Sequence, residues 1–233
     1  MAAHTRKTRG VRGQTPVSLC SSTFDEYVER VRSFHGFAAP GVVIGGFMVD
    51  LAYRHLPKEG LFDAICETSK CLPDAVQLLT PCTIGNGWLT IIDTGRYALC
   101  LYDKSNRRGV RVAVDPARLD AWPGIKSWFF KLAPKKEQDP ELLLGEIRAA
   151  GASFCAVRRV TVLPPAAKGQ ERQFAICPSC GESYPIGHGP LCHGCQGAAP
   201  YVRPGRGARP SRLFQTAAAG STTMRPRRRM KSE

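Results

Sequence analysis

Apolar side chains recur at helical spacing near the start of the chain, at Phe24, Tyr27, Val28, Val31 and Phe34. Thr23 and Glu26 have the spacing of a capping box, in which each residue's side chain bonds the other's backbone N–H. The pattern therefore predicts a helix from Thr23 to about residue 33. Pro40 breaks the pattern, and a second helix is predicted over residues 41–55.

Shorter apolar runs dominate the middle of the chain. They predict strands at residues 61–66, 88–93, 97–102, 109–114 and 154–163, and helices at 73–79, 124–131 and 140–150. Turn residues at 93–96 and 105–109 are typical of hairpins, so residues 88–114 are predicted to form a β-meander. The expected fold class is α+β, with helices packed on a mainly antiparallel sheet.

Two Cys-x-x-Cys pairs, Cys177/Cys180 and Cys192/Cys195, are separated by eleven residues. Four thiolates are the preferred ligands of a closed tetrahedral zinc site, and a segment too short for a core can fold around such an ion. The spacing therefore predicts a small C-terminal zinc-knuckle module holding structural Zn²⁺. Two disulfides, a redox pair, or replacement ligands at His188 or His193 remain as alternatives.

Charge is concentrated at the two ends of the chain. The formal net charge is +14 over 233 residues, of which residues 1–20 carry +4 and residues 200–233 carry +8. Basic, packing-poor ends are typical of disorder and of weak, nonspecific contact with polyanions. The expected organisation is a disordered basic arm (1–20), an α+β core (21–163), a linker (164–173), a zinc-binding module (174–202) and a disordered basic tail (203–233).

The chain shows no export signal and no apolar run of membrane-spanning length, so a cytoplasmic protein without a membrane segment is expected. Ten cysteines then favour metal ligands and free thiols over disulfides.

A second polar cluster lies in the body of the chain, at His35, Cys71 and Cys82. Cys71 precedes a predicted helix, where a thiol gains thiolate character, and Cys82 follows the same helix. The two sulfurs meet only if the loops at the helix ends fold back. Small apolar fillers of the core are the alternative role for both cysteines.

Several motifs of the body together resemble the FmdE family, named for the FmdE component of molybdenum or tungsten formylmethanofuran dehydrogenase. They are Phe34-His35-Gly36, Pro40-Gly41, Glu67-Thr68, Cys71, Asp74-Ala75-Val76-Gln77, Thr80, Cys82-Thr83, Gly85-Asn86-Gly87 and Asp93-Thr94-Gly95. The resemblance covers roughly residues 24–115. The cysteine module after it is similar to the treble-clef zinc finger that many members carry.

The resemblance implies a dimeric α+β core with a cleft lined by His and Cys, associated with one-carbon metabolism and a dehydrogenase partner. The family usually reads His-Gly-His-x-Cys-Pro-Gly at the first motif. Phe37 and Ala39 stand here at the positions of the second His and the Cys. His35, Cys71 and Cys82 remain as the matching set for a possible second metal in the core cleft.

Three functions compete on the sequence alone. The first is a zinc-binding FmdE-like accessory protein whose cleft binds a metal, a cofactor or a partner. The second is a thiol-dependent enzyme in which Cys71 or Cys82 is the nucleophile and His35 the base. The third, a nucleic-acid-binding or regulatory zinc finger, ranks last because no Lys or Arg lies between Cys177 and Cys195. No reaction is assigned.

Overall fold

The computed structural model describes residues 17–56, 60–163 and 173–201 of the chain. The chain divides into two compact units, Met1–Leu163 and Pro164–Glu233. Most of the predicted basic arm, the linker and the C-terminal tail lie outside the described residues. Residues 17–20 are described and depart from the predicted disorder, because Ser18–Leu19 (β1) pairs with Ser22–Thr23 (β2) and Leu19 is buried.

The first helix, α1 (Phe24–His35), begins as the capping box predicts. The Glu26 backbone N–H donates to Thr23 Oγ1, and the Thr23 backbone N–H donates to Glu26 Oε2 at 2.8 Å. Gly36 ends the helix in the left-handed conformation, with a φ of 92°, which glycine adopts without steric cost. This turn places His35 at the end of α1, beside the loop that leads to α2.

The second helix, α2 (Pro40–His55), is the central element of the core and is buried along most of its length. Its glycines allow close approach: a Cβ at Gly46 would lie 2.6 Å from Tyr27 Cζ of α1, and one at Gly45 would lie 2.6 Å from Ala75 Cβ. The buried Tyr27 hydroxyl donates to the Val42 carbonyl at 2.8 Å. The absence of side chains at Gly45 and Gly46 therefore allows α1 and α3 to pack closely against α2.

Five strands form one sheet in the order β4-β3-β5-β6-β7. Their bounds are Phe62–Cys66 (β3), Leu89–Ile91 (β4), Ala98–Asp103 (β5), Arg108–Val114 (β6) and Cys155–Thr161 (β7). The β3–β4 pair is parallel and the other three pairs are antiparallel. The α+β class is confirmed, but the predicted meander is wrong at its first step. β3 lies between β4 and β5, so residues 93–96 form a crossing connection and not a hairpin.

The remaining α-helices of the described residues are α3 (Leu72–Leu79), α4 (Pro123–Phe130) and α5 (Pro140–Ala150), and two short 3-10 helices cover Pro116–Ala121 and Lys135–Glu137. α2 packs against β5 and β6, while α1, α3 and α5 pack around α2. None of the helices in the described residues is long and apolar enough to cross a bilayer.

In the described part of the C-terminal unit, residues 173–201, a hairpin is followed by two short helical turns, Ile186–His188 and Gly194–Ala198. β8 (Phe174–Ile176) pairs with β9 (Ser183–Pro185), and the first cysteine pair lies in the turn between them. Gly181 has a φ of 80° in this turn, and its N–H donates to the Cys177 carbonyl. The second cysteine pair lies at the start of the helical turn Gly194–Ala198. This arrangement confirms the small knuckle module of the predicted fold class.

Candidate functional site

The four cysteines of the C-terminal unit lie together. The sulfurs of Cys177, Cys180, Cys192 and Cys195 are all within 4.8 Å of one another. The Cys180 and Cys192 sulfurs are 3.8 Å apart. A tetrahedron of sulfurs about 2.3 Å from a zinc ion has edges of about 3.8 Å. The cluster thus has the dimensions of a four-thiolate zinc site, and a disulfide would require an S–S distance of about 2.0 Å.

The protonation of these thiols also fits a cation. Backbone N–H groups, first that of Cys192, lower the pKa of the Cys177 thiol to about 6. The backbone N–H of Glu182 lowers the pKa of the Cys180 thiol, but burial and the neighbouring thiols outweigh it and raise that pKa to about 12. The Cys177 thiol therefore loses its proton more easily than the Cys180 thiol, because neighbouring thiolates repel each other. A divalent cation removes that conflict, because metal binding displaces the thiol protons.

The two histidines of the module are not part of this cluster. The rings of His188 and His193 stack on each other, with centroids 3.7 Å apart and planes 7° from parallel. The geometry therefore supports a structural Zn²⁺ held by four cysteines, in preference to a site in which a histidine is one of the ligands.

The first unit contains a cavity of about 990 Å³ beside the start of α3. Three walls come from the α1–α2 connection (Phe37), the β3–α3 connection (Lys70 and Cys71) and the β4–β5 connection (Tyr97). The fourth runs from the end of α4 to the first turn of α5. The volume lies within the range of about 300–1,000 Å³ typical of small-molecule sites.

Cys71 lies in this wall in an unusual backbone conformation. Its φ of 54° falls in the left-handed region, which is uncommon for a residue other than glycine. Gly41 leaves room for it, since a Cβ there would lie 2.8 Å from Cys71 Cβ and 3.0 Å from Cys71 Sγ. Tyr97 closes the same corner, because its hydroxyl donates to the Gly41 carbonyl at 2.7 Å. Strain held by its surroundings at a cavity wall is typical of functional positions.

The position of Cys71 before α3 favours a thiolate, but its surroundings act in the opposite direction. Burial, followed by the charge of Asp74, raises the pKa of the Cys71 thiol. Burial is also the largest cause of the raised pKa of Cys82. Desolvation of the thiolate thus outweighs the favourable position of Cys71 at a helix N-terminus.

The three residues of the predicted cleft set have different surroundings. His35 Nδ1 lies 2.6 Å from Asp74 Oδ2, on α3. Cys82 is fully buried at the far end of α3, and its thiol donates to the Phe62 carbonyl at 3.6 Å. Only Cys71 of the three lines the cavity. The four module cysteines are the one group of three or more clustered His, Cys or acidic ligands in the described ranges.

The two positions at which the chain departs from the family motif, Phe37 and Ala39, differ in their exposure. Phe37 is 51% exposed and its ring lines the cavity, whereas Ala39 is buried. The Phe37 ring also lies against the His35 ring, with centroids 5.2 Å apart. The chain thus presents an aromatic ring to the cavity at the position where the family resemblance implies a histidine.

Sequence reasoning missed most of the far wall of the cavity. Trp128, Phe129 and Lys131 come from the end of α4 and the loop after it, far along the chain from Cys71. The only local signal is the aromatic run 128–130, which is equally typical of a core helix.

An ion-pair cluster around the buried carboxylate of Glu67 lies directly before the cavity wall. Glu67 accepts from the Arg111 guanidinium, with Arg111 Nη2 at 2.9 Å, and Arg96 Nε lies 2.7 Å from Glu67 Oε2. Hydrogen bonding and charge from Arg111 lower the pKa of the Glu67 carboxyl. The cluster fixes the end of β3, from which Thr68 and Lys70 extend to the cavity.

The fold and the cysteine site define an α+β domain followed by a treble-clef zinc module. Residues 34–162 match the family model described as "FmdE, Molybdenum formylmethanofuran dehydrogenase operon", and residues 168–202 match the "FmdE treble clef zinc finger". The chain belongs to the FmdE family.

Two known proteins illustrate the likeness. The first is a "tungsten formylmethanofuran dehydrogenase subunit e (fmde)-like protein" from Syntrophus aciditrophicus, known from a crystal structure. It is 49% identical to this chain, with a TM-score of 0.73, and the match covers 81% of this chain and 100% of that chain. A "Probable S-adenosyl-L-methionine-binding protein" of Archaeoglobus fulgidus is 35% identical over 94 residues, which cover 37% of this chain and 26% of the relative. The chain thus spans about a quarter of the length of that curated relative.

Proposed function

We propose that the chain is an accessory protein of a molybdenum- or tungsten-dependent formylmethanofuran dehydrogenase or of related one-carbon redox metabolism. It binds a small-molecule cofactor in the cavity beside Cys71, and the zinc module has a structural role. The observation that carries this proposal is the cavity itself, with a strained cysteine in its wall. The operon named in the family description supplies the metabolic setting.

A cofactor suits this cavity better than a second metal. Cys71 is the only thiol among the described residues that line it, and His35 is engaged with Asp74 outside the lining. Phe37 and Ala39 offer no ligand atoms at the positions where the family motif has His and Cys. The chain's own residues therefore do not fit a second metal ion at this wall.

A thiol-dependent enzyme is the weaker alternative. The raised pKa of Cys71 keeps its thiol protonated at neutral pH, and His35 is engaged with Asp74. A nucleic-acid-binding role rests on the basic ends, which lie outside the described residues. We propose only weak, nonspecific polyanion contact for them.

The four cysteines Cys177, Cys180, Cys192 and Cys195 are proposed as the zinc ligands, with the first unit and the module as the two functional domains. We also propose a homodimer in the cytoplasm. Four of the ten cysteines cluster with the geometry of metal ligands, which need reduced thiols, and this supports a reducing compartment. The exposed apolar side chains Phe130, Leu132 and Leu142 offer contact area to a second copy.

Reconstitution tests the accessory role. A cognate formylmethanofuran dehydrogenase is assayed with and without the zinc-loaded chain, and co-purification is measured. We expect the chain to co-purify with the enzyme and to raise its activity. Cys71→Ala should remove this effect, because it removes the thiol at the cavity wall, while Cys20→Ala, outside the cavity, should keep it. Equal effects of the two variants, or no association, would contradict the proposal.

The name of the Archaeoglobus fulgidus relative provides a specific ligand to try. Titration of the chain with S-adenosyl-L-methionine and with the uncharged-sulfur analogue S-adenosyl-L-homocysteine tests whether that ligand belongs to this chain's cavity. Lys70, Lys131 and Lys135 in the cavity lining disfavour the sulfonium cation, so we expect the homocysteine form to bind more tightly.

A further inference from the structure

The cavity beside Cys71 combines aromatic walls with a basic rim. Phe37, Trp128 and Phe129 line it, which gives apolar flat surfaces from two parts of the chain, the α1–α2 connection and the end of α4. Aromatic side chains bind other flat rings through stacked or edge contacts, and these contacts add to the gain from area burial. The walls therefore favour a planar organic group over a flexible or strongly hydrated one.

All the charged side chains in the lining carry the same sign. Lys70, Lys131 and Lys135 contribute to it, and among the described residues that line it there is no Asp or Glu. All three lysines are exposed, as expected for side chains at a rim. A cleft lined by charges of one sign attracts ligands of the opposite sign and raises their local concentration.

An aromatic side chain and a lysine of the lining lie next to each other at one point on the rim. Lys135 Nζ lies 5.3 Å from the centroid of the Phe37 ring, within the range of a cation–π contact. A ligand whose ring packs on Phe37 thus brings a substituent next to the Lys135 ammonium. An anionic substituent there is stabilised, whereas a cationic one is repelled.

We propose that this cavity binds a planar aromatic molecule that carries an anionic group, a carboxylate, sulfonate or phosphate. The ring contacts Phe37, Trp128 and Phe129, and the anion lies toward Lys70, Lys131 and Lys135. This inference rests on the proposed function in taking the cavity as the cofactor site, and it specifies the chemical class of that cofactor.

A matched pair of fluorescent probes tests both halves of the proposal on the zinc-loaded, full-length chain. The anionic probe is 8-anilinonaphthalene-1-sulfonate, and the neutral probe is N-phenyl-1-naphthylamine, which has the same rings without the sulfonate. We expect the anionic probe to bind about tenfold more tightly at low ionic strength, and this preference to fall as salt is added.

Two variants of the lining and two matched controls locate the binding. Phe37→Ala and Lys135→Glu should each weaken the anionic probe about tenfold, by removing ring contact and by reversing a charge. Phe34→Ala removes an aromatic side chain of similar exposure outside the cavity, and Lys136→Glu reverses the next charge along the chain, which is not in the lining. Neither control should change binding by more than about twofold.

Circular dichroism and zinc content confirm that each variant is folded. Equal affinity for the two probes would overturn the anionic half of the proposal, and equal behaviour of the cavity and control variants would show that the probe binds elsewhere. Absence of binding by both probes would overturn the proposal as a whole. A chain that binds the anionic probe as expected but has no effect in the dehydrogenase reconstitution would contradict the proposed function alone. The reverse result would contradict the ligand class alone.

Discussion

The cysteine module and the cavity beside Cys71 are assembled in opposite ways. The four sulfurs of the module come from residues 177–195, whereas the cavity takes its walls from residues as far apart as Phe37 and Leu143. A metal site of this kind is specified by spacing, because two short turns suffice to aim its ligands. A cavity is specified by how distant elements pack, so its lining appears only in the folded chain.

The source of stability differs in the same way. Within residues 173–201 the module buries only two apolar side chains, Tyr184 and Cys177, while the first unit packs its core around α2. Metal coordination must therefore supply much of the folding free energy of the module, and apolar burial supplies that of the first unit.

Removal of zinc should have the largest effect, and it should be confined to the module. Structural zinc contributes about 10–16 kcal/mol of apparent binding free energy in small zinc-finger units at pH 7. We expect one zinc per chain by elemental analysis. A strong chelator should unfold the module, as seen by proteolysis within residues 173–201, and leave the first unit folded.

Cys180→Ser should reproduce the effect of chelation, because three thiolates leave the coordination incomplete. Cys20→Ser, a change at an exposed cysteine of the first unit, serves as the control and should retain zinc. A metal-free chain whose module resists proteolysis would contradict the assignment.

Gly46→Ala should be the most damaging small change in the first unit. The new Cβ would lie 2.6 Å from Tyr27 Cζ, and the Tyr27 hydroxyl would have to leave its buried bond to Val42. We expect a loss of about 2–3 kcal/mol in the free energy of unfolding, measured by urea denaturation.

Gly145→Ala provides the matched control on α5. A Cβ at Gly145 meets nothing within 4 Å among the described residues, so the higher helix propensity of Ala should stabilise the chain by up to about 1 kcal/mol. Similar losses for both variants would show that close packing against α2 is not what makes Gly46 necessary.

Glu67→Gln should have an intermediate and pH-dependent effect. The change leaves the Arg111 guanidinium with a weaker acceptor and should cost about 1–3 kcal/mol at pH 7. Arg111 lowers the Glu67 pKa in the folded state below its ordinary 4.5, so the stabilisation is present above that value and is lost as the pH falls through the lower folded pKa.

Wild type and the Glu67→Gln variant should therefore have similar free energies of unfolding in acid, which urea denaturation at a series of pH values would show. Glu29→Gln, at an exposed position of α1, should change little at any pH. A difference between wild type and Glu67→Gln that persists unchanged in strong acid would mean that the carboxylate charge is not responsible.

The smallest expected effect is in thiol labelling, which compares Cys71 directly with the four cysteines of the module. A thiol pKa raised above 9.0 leaves less than about 1% of Cys71 as thiolate at pH 7, so iodoacetamide should react slowly there. Labelling should accelerate only as the pH rises past 9. After chelation the module cysteines should react first, identified by mass spectrometry of the labelled peptides. Rapid labelling of Cys71 at neutral pH would instead favour the thiol-dependent enzyme.

Local signals predicted much of the first unit. The Thr23/Glu26 capping box located the start of α1, and Pro40 located the break before α2, because both act through backbone groups within one turn. The apolar runs located the strands but not their order. The position of β3 between β4 and β5 depends on long-range pairing, which the turn residues at 93–96 did not encode.

The sequence by itself determined the zinc module, since spacing and residue type are enough to define four thiolates around an ion. Its motifs also determined the family to which the chain belongs. The tertiary structure alone decided what lies around Cys71. It partly buried the Cys71 thiol, left Cys82 outside the cavity, and brought Trp128, Lys131 and Lys135 into the same lining as Phe37. The physical reason is that desolvation and cavity shape depend on every element that packs nearby, and no short stretch of sequence carries that information.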